Sequence, residues 1–408
     1  MGDINVKHYL KFKHMIRHLF KLIWNKKKQN LLLMSEILVS FLVIFAVFSL
    51  IVYDYQNYMK PMGFDYENRW VISYNNTLQT KSSDSLKLFY ETIRQTLKAM
   101  PEIEDVTYTS QNYPFSNTTN TTGLNYKNVR LRRVNQFTVE DSYKNVLNMK
   151  VLEGRWFEKQ DDVSKDRRIV INASLREKLF GREKAVGAVI GDEDQKSKLQ
   201  VIGVVEDTKF KGDYTSMGDA LFSRADTASF RWMGHLLVKV KTGASAAFEG
   251  RLYKVMAGTM KNANIEIAHL SETRRLRNRF FLIPLVVILI VAGFLIINVA
   301  LGLFGVLWYN INKRRGEIGL RRAIGASGRS VSKQLVSEAL ILSTFSLIIG
   351  SFFAVQFPIL NVGDIQASVY LLALLFSILF IYLLVLICSL YPGRQAAAIY
   401  PAVALHED

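Results

Sequence analysis

A polytopic α-helical membrane protein with four transmembrane helices, one before and three after a large α+β domain, is the fold that this 408-residue sequence predicts. Three observations predict it. Four apolar runs are each long enough to cross a bilayer, which takes roughly 20 helical residues at about 1.5 Å rise apiece. Lys and Arg crowd into two short segments flanking these runs. Between the first and second runs lie 226 residues whose mixed periodicities are those of a water-facing domain. The composition agrees: 50% of residues are hydrophobic, 21% are charged, and 52 Lys+Arg against 35 Asp+Glu leave a net charge of +17. So apolar a chain is not disordered, and its one cysteine, Cys388, cannot form a disulfide within the chain. A charge of +17 suits either nucleic acid or an anionic membrane, and its location decides between them.

Residues 1–30 read as an amphipathic helix at the cytoplasmic membrane interface, with Tyr9, Phe12, Ile16, Leu19, Phe20 and Ile23 on one stripe and eight basic residues in all. Transmembrane helix 1 covers 31–53, interrupted by Ser35, Glu36, Ser40 and Ser49. The long basic leader and the lack of a small-residue cleavage site make this run a retained anchor, not a signal peptide. Residues 54–279 form the external domain. Helix 2 covers 280–309 and contains Pro284 and Asn298; 310–334 is a cytoplasmic segment with seven basic residues. Helix 3 follows at 335–357, a short turn without Lys or Arg at 358–368, helix 4 at 369–391, and a tail at 392–408. The positive-inside rule puts 1–30 and 310–334 in the cytoplasm and the turn and the external domain outside. The external domain holds 36 basic and 28 acidic residues, an ordinary solvated surface. The basic excess therefore marks membrane edges, where anionic lipid is the partner, and no nucleic-acid ligand is expected.

Within the external domain, Asp84–Met100 places Leu86, Phe89, Ile93 and Leu97 on one helical face, and Pro101 ends the pattern. Strands are expected at Val106–Thr109, Arg168–Asn172 and Leu199–Val205 and around Val238–Lys241, and a helix at Ser174–Phe180 stopped by Gly181. Ser116–Thr122 reads as an exposed loop, whose Asn117 and Asn120 glycosylation-type sequons are chance matches in a Thr-rich stretch. No catalytic site emerges. His235 and His269 have no companions at metal-ligand spacing, no Gly-x-Ser-x-Gly elbow occurs, and Asp161 and Asp162 read as a solvated turn. No Gly-x-x-x-x-Gly-Lys-[Ser/Thr] phosphate loop occurs either. The chain is expected to be non-catalytic, with no metal or cofactor of its own.

The segment after helix 2 predicts a charged helix ending at a left-handed Gly325, with Ser327 or Ser330 capping the next helix. That helix would offer Glu317, Arg321 and Arg322 to a partner while Ile318 and Ile324 anchor it. Glu36 and Glu338 lie one to two turns inside their spans, an expensive place for a carboxylate. A structural role, hydrogen-bonded or protonated, competes with one in relaying motion between spans. Beyond these two, Asn298 and Gln356, the spans hold little polar besides Ser and Thr, which makes a polar conduit a poor expectation.

The run RRGEIGLRRAIGAS (Arg314 to Ser327), with SEALILS entering helix 3, closely resembles the signature of the MacB/FtsX-type ABC transporter permeases. The tail Tyr391-PGRQAAAIYPAVALHED resembles that family's ending. LEGRWFEKQDD (Leu152 to Asp162), RIVIN, LFG (Leu179 to Gly181), Val186-Gly187 and VIGVVEDTKF (Val201 to Phe210) resemble its periplasmic core. The resemblance implies that Glu317, Ile318, Gly319, Arg321, Arg322, Gly325 and Ala326 form a coupling helix docking on an ATPase. It also implies an ABC ATPase dimer that is encoded separately and binds the ATP and Mg, and a second permease copy, identical or related. A periplasmic adaptor and an outer-membrane channel are further implied partners. The location would be the bacterial inner membrane, with both termini cytoplasmic. The implied function is mechanotransmission, in which ATP hydrolysis rearranges the periplasmic domain to export a drug, peptide or lipid-like substrate. A lipoprotein-extracting permease and an FtsX-like regulator of a cell-wall hydrolase are the alternatives.

Overall fold

The structure, a computed structural model, describes residues 27–75, 82–163, 166–191 and 198–398. The interfacial helix expected in the leader therefore lies outside the described residues up to residue 26, as does the tail from 399 onward. The chain divides into two compact units, Met1–Tyr55 with Ile283–Asp408, and Gln56–Leu282.

In the first unit, among the described residues, four helices are long and apolar enough to cross a membrane. They are α1 (Lys27–Met59), α6 (Leu270–Lys313), α8 (Gly328–Ile359) and α9 (Ala367–Ala398). A shorter helix, α7 (Arg315–Ala323), joins α6 to α8. Leu33, Ile37, Phe41 and Phe45 of α1, Leu303 and Leu307 of α6, Leu342 and Leu347 of α8 and Ile381 and Val385 of α9 share one core. All four helices outrun the apolar stretches that announced them, α8 by starting at Gly328 and α1 by running on to Met59. α6 starts ten residues before Phe280, because the charged stretch from Glu272 to Arg279 is made of good helix formers that a hydropathy reading passes over. α9 continues through Pro392 to Ala398.

The second unit is built on one mixed sheet of eleven strands in the order β11-β1-β10-β2-β4-β9-β6-β8-β5, with β3 on β4 and β7 on β8. The strands are β1 (Arg69–Tyr74), β2 (Ile103–Thr109), β3 (Thr121–Tyr126), β4 (Val129–Val139), β5 (Val151–Gly154), β6 (Arg167–Asn172), β7 (Val189–Ile190), β8 (Leu199–Val205), β9 (Ala220–Arg224), β10 (His235–Val240) and β11 (Ile265–His269). Among the described residues, only the pairs β4/β9 and β6/β8 are parallel. A single bridge, Thr109↔Val139, joins β2 to β4, so the sheet consists of two halves.

Period-2 alternation assigns the faces. Trp70, Ile72 and Tyr74 of β1 and Leu236, Val238 and Val240 of β10 face a core closed by α2 (Ser83–Lys98) and α5 (Ala246–Thr259). Val71 and Leu237 face the opposite way, toward Phe64, Phe115, Phe137, Phe210 and Phe222 and the short helix α3 (Tyr143–Leu147). The other half-sheet packs Ile169, Ile171, Val201 and Val204 on Leu175 and Leu179 of α4 (Ala173–Phe180). α2 buries the expected Leu86, Ile93 and Leu97, and also Tyr90, whose ring meets Tyr108 and Phe230. Asn172 ends β6 and caps α4 by accepting a hydrogen bond from the Leu175 amide at 3.2 Å. The loop expected over Ser116–Thr122 stops at Asn120. Thr121 and Thr122 already belong to β3, pairing Asn135 and Val134, a place that suits β-branched side chains.

Candidate functional site

The segment between α6 and α8 folds as a compact helix and turn. Ile318 is 5% exposed and packs with Ile311, Val331, Leu335 and Ala396, so one face of α7 is buried against neighbouring helix ends. Gly319 is buried beside it. Gly325 has φ +103°, the left-handed region that favours glycine, and ends the helix; the Ala326 amide donates to the Arg321 carbonyl at 3.0 Å. Of the two expected caps, Ser327 acts, accepting from the Ser330 amide at 3.2 Å. Close approach holds the ends of α8 and α9 together: a Cβ at Gly328 would lie 2.8 Å from the Ala397 carbonyl oxygen, and one at Gly393 2.8 Å from Ser332 Oγ.

The outward face differs from expectation at two residues. Ile324 is not an anchor. It is 79% exposed, on the same ridge as Leu320 at 52%, because the buried stripe of this short helix is already filled by Ile318 and Gly319. Arg322 is not offered outward either; its guanidinium donates to the Ala397 carbonyl at the end of α9. Glu317 and Arg321 are exposed and form an i,i+4 pair at 2.6 Å, and Arg321 also donates to Gln334 Oε1 at 3.0 Å. The result is a ridge of Glu317, Leu320, Arg321 and Ile324, two apolar side chains framed by a held ion pair. Leu320 went unnoticed in the sequence, although its i,i+4 spacing to Ile324 was the available signal.

The two intramembrane carboxylates have different surroundings. Glu338 forms an ion pair with Arg314 at 3.0 Å and accepts from Gln334 Nε2 at 3.1 Å, tying the end of α6 to α8. Glu36 points at the backbone of Gly302, where a Cβ would lie 2.7 Å from its Oε2. That oxygen is buried and has no hydrogen-bond partner among the described residues.

In the sheet unit, polar clusters are occupied with holding the fold. Asp161 is not in a solvated turn: Arg155 and Arg168 each reach it at 2.6 Å, and the Glu158 amide donates to it at 2.9 Å. The Arg155 hydrogen bonds hold its carboxyl down at about 2. His269 stacks on Trp70 with ring centroids 4.4 Å apart and meets Glu249 at 3.0 Å. His235 lies 3.0 Å from Ser73 Oγ, with the Tyr113 ring at 4.8 Å. Among the described residues no group of three or more His, Cys, Asp or Glu could hold a metal ion.

Burial lowers His235 from 6.5 to about 4. Because the folded value lies below the unfolded one, the unfolded chain takes up the proton first. Stability is full above about 6.5 and declines as pH falls toward 4, by at most about 3 kcal/mol from this group. Thermal unfolding of the full chain in detergent, wild type against His235→Asn, is expected to show a smaller acid-side fall in the variant. Parallel profiles would disprove the assignment.

Four membrane-length helices with an α+β domain inserted between the first two in sequence define the class, a polytopic membrane protein. A family model described as the MacB-like periplasmic core domain matches residues 31–252, more than half of the chain. A second, described as the FtsX-like permease C-terminal domain, matches residues 286–401. The chain belongs to the MacB/FtsX-type family of ABC transporter permeases. The macrolide export ATP-binding/permease protein MacB of Hahella chejuensis is 28% identical over 336 residues, 77% of this chain and 48% of that protein. The protein of the same name from Salmonella choleraesuis is 25% identical over 316 residues, 70% of this chain and 45% of that protein. This chain thus spans less than half the length of either relative. Among solved structures, the periplasmic region of MacB from Actinobacillus actinomycetemcomitans aligns with a TM-score of 0.38 at 17% identity, covering 54% of this chain and 96% of that one.

Proposed function

We propose that this chain is the permease of a MacB/FtsX-type ABC transporter in the bacterial inner membrane, with the sheet unit in the periplasm. An ABC ATPase dimer binds ATP and Mg and docks on the α7 ridge, and two permease copies work together. ATP-driven movement of α7 passes along α1 and α6 to the sheet unit, which acts on a drug, peptide or lipid-like substrate already outside the membrane. A periplasmic adaptor and an outer-membrane channel would complete an export path. The observation that carries the reading is the ridge: Leu320 and Ile324 are exposed on a helix whose opposite face is pinned by Ile318 and by the Arg322 bond to Ala397. Small exposed apolar anchors beside charged groups are the anatomy of a protein-docking patch. The sparse polar content of the spans supports transmission of motion over passage of a polar solute.

The ridge should dominate ATPase binding. Ile324→Asp and Leu320→Asp are expected to weaken co-purification of the ABC ATPase by about ten-fold or more, roughly 1.4 kcal/mol. Both positions are exposed, so membrane insertion and thermal stability should be unchanged. An ATPase that is retained in full by both variants would sink the docking assignment.

A further inference from the structure

The loop after β8 holds a set of buried polar contacts that the proposed function has not used. Lys209 is 2% exposed, and among the described residues its ammonium donates to main-chain carbonyls: Asn57 at 2.9 Å, Asp213 at 3.3 Å and Tyr58 at 3.5 Å. Asn57 and Tyr58 belong to the last turn of α1, where the helix dipole is negative; the Asn57 carbonyl also accepts from the Lys60 amide at 3.2 Å, and Lys209 adds a buried cationic cap supplied from a distant part of the chain. Tyr214 stacks on Tyr58 with centroids 5.6 Å apart, and its carbonyl accepts from Asn57 Nδ2 at 3.4 Å.

The same loop grips the start of α6. Asp213, 4% exposed, receives both arms of Arg274, at 2.9 and 2.7 Å. Its amide donates to Asn278 Oδ1 at 3.1 Å, and its Oδ2 accepts from Asn278 Nδ2 at 2.8 Å. Arg274 also donates to Tyr66 Oη at 2.6 Å and lies over that ring. Arg277, one turn on, donates to the Lys211 carbonyl at 3.3 Å. Gly212, at φ +122°, lets the loop pass where a Cβ would lie 3.0 Å from Asn278 Oδ1. Phe210 fixes the loop from behind, with its ring 4.9 Å from Phe64 and 4.8 Å from Phe137.

We propose that Lys209–Asp213 is a clasp that joins the external ends of α1 and α6 to each other and to the sheet, with Lys209, Asp213 and Arg274 as its positioning residues. A bidentate guanidinium–carboxylate pair fixes both distance and direction, and a buried cation on a helix end cannot be released without leaving it unpaired. Displacement of either helix end is thereby imposed on the loop that leads out of β8. The clasp itself stands on this geometry alone; its use in passing on ATP-driven motion rests on the reading above.

Hydrogen exchange by mass spectrometry on the full chain in detergent tests the clasp without any ATPase. Asp213→Asn is expected to raise exchange about ten-fold or more in both 56–60 and 270–281, while β6 and β8 stay protected. Lys209→Met should loosen 56–60 most and Arg274→Lys 270–281 most; these serve if Asp213→Asn does not fold. Loosening confined to one helix end in Asp213→Asn, or absent from both, overturns the clasp. With the ATPase bound, Asp213→Asn should keep nucleotide hydrolysis but lose ATP-dependent exchange changes in the sheet unit. Retention of those changes in a variant with both ends loosened overturns the positioning role. Failure of the wild type to show them would overturn the transmission reading and leave the clasp standing.

Discussion

Gly350→Leu is expected to abolish recovery of folded protein. At Gly350 α8 passes close to α1: a Cβ there would overlap Cδ1 of Phe41 and lie 2.8 Å from its Cε1 and 3.3 Å from Leu38 Cδ1. Phe41 is fully buried and stacks on Phe45, so its ring has nowhere to turn. Glycine at such a crossing lets two helix backbones approach, and in a bilayer that close packing is a main source of association, because lipid removes the hydrophobic drive. Overpacking a filled core costs about 1–3 kcal/mol for added methylenes and more where no rearrangement is open. Gly350→Ala should already lower the melting temperature in detergent, and Phe41→Leu should restore part of the loss by opening the space. A monodisperse Gly350→Leu protein with unchanged melting would show that α1 and α8 do not pack in this way.

Glu140→Ala should cost the sheet unit about 3–5 kcal/mol. Glu140 accepts from the Tyr108 amide at 2.7 Å through one carboxylate oxygen and is paired with Arg94 through the other. Arg94 also meets Glu91 at 3.0 Å and lies over the Tyr108 ring. Removing the carboxylate strands the Tyr108 amide and leaves a mostly buried guanidinium with the half-exposed Glu91 as its remaining ion-pair partner, beside the core that α2 closes. The larger part of the loss is that stranding, so Arg94→Met together with Glu140→Gln should recover stability relative to Glu140→Ala. Urea denaturation of the full chain in detergent, followed by tryptophan fluorescence, measures both. A loss below about 1 kcal/mol for Glu140→Ala would mean that water reaches Arg94 and the pair is a surface one.

Much of the architecture was legible because it follows from constraints that act locally. A bilayer sets the length of an apolar helix, so Leu31–Tyr53 and Val369–Tyr391 stood out without tertiary information. Gly325 and Ser327 announced the end of one helix and the start of the next, since left-handed backbone and an amide-capping hydroxyl restrict residue choice. What escaped depends on tertiary packing, which local patterns do not record. Asp161 read as a solvated acid because Arg168, its second partner, is delivered by the pairing of β6 with β8 and β9. Ile324 read as an anchor because the hydropathy of α7 cannot say which of its isoleucines meets Val331, Leu335 and Ala396. Lys209 and Asp213 carry no mark in the sequence, for their partners lie some 150 residues before them and 60 after them.

The split of the membrane unit into residues before 56 and after 282 sets an order on biosynthesis. Phe41 emerges 309 residues ahead of Gly350. At roughly 5–20 residues per second, α1 waits about 15–60 s in the lipid before α8 exists to meet it. The sheet unit, contiguous from Gln56 to Leu282, is complete before that meeting. Glu36 on α1 likewise has no Gly302 to rest against until α6 is made, so the newly inserted helix carries a bare carboxyl for the greater part of that interval. A chain cut short soon after Leu282 would carry a finished sheet unit on α1 alone, without the α6, α8 and α9 residues that complete the core around Phe41.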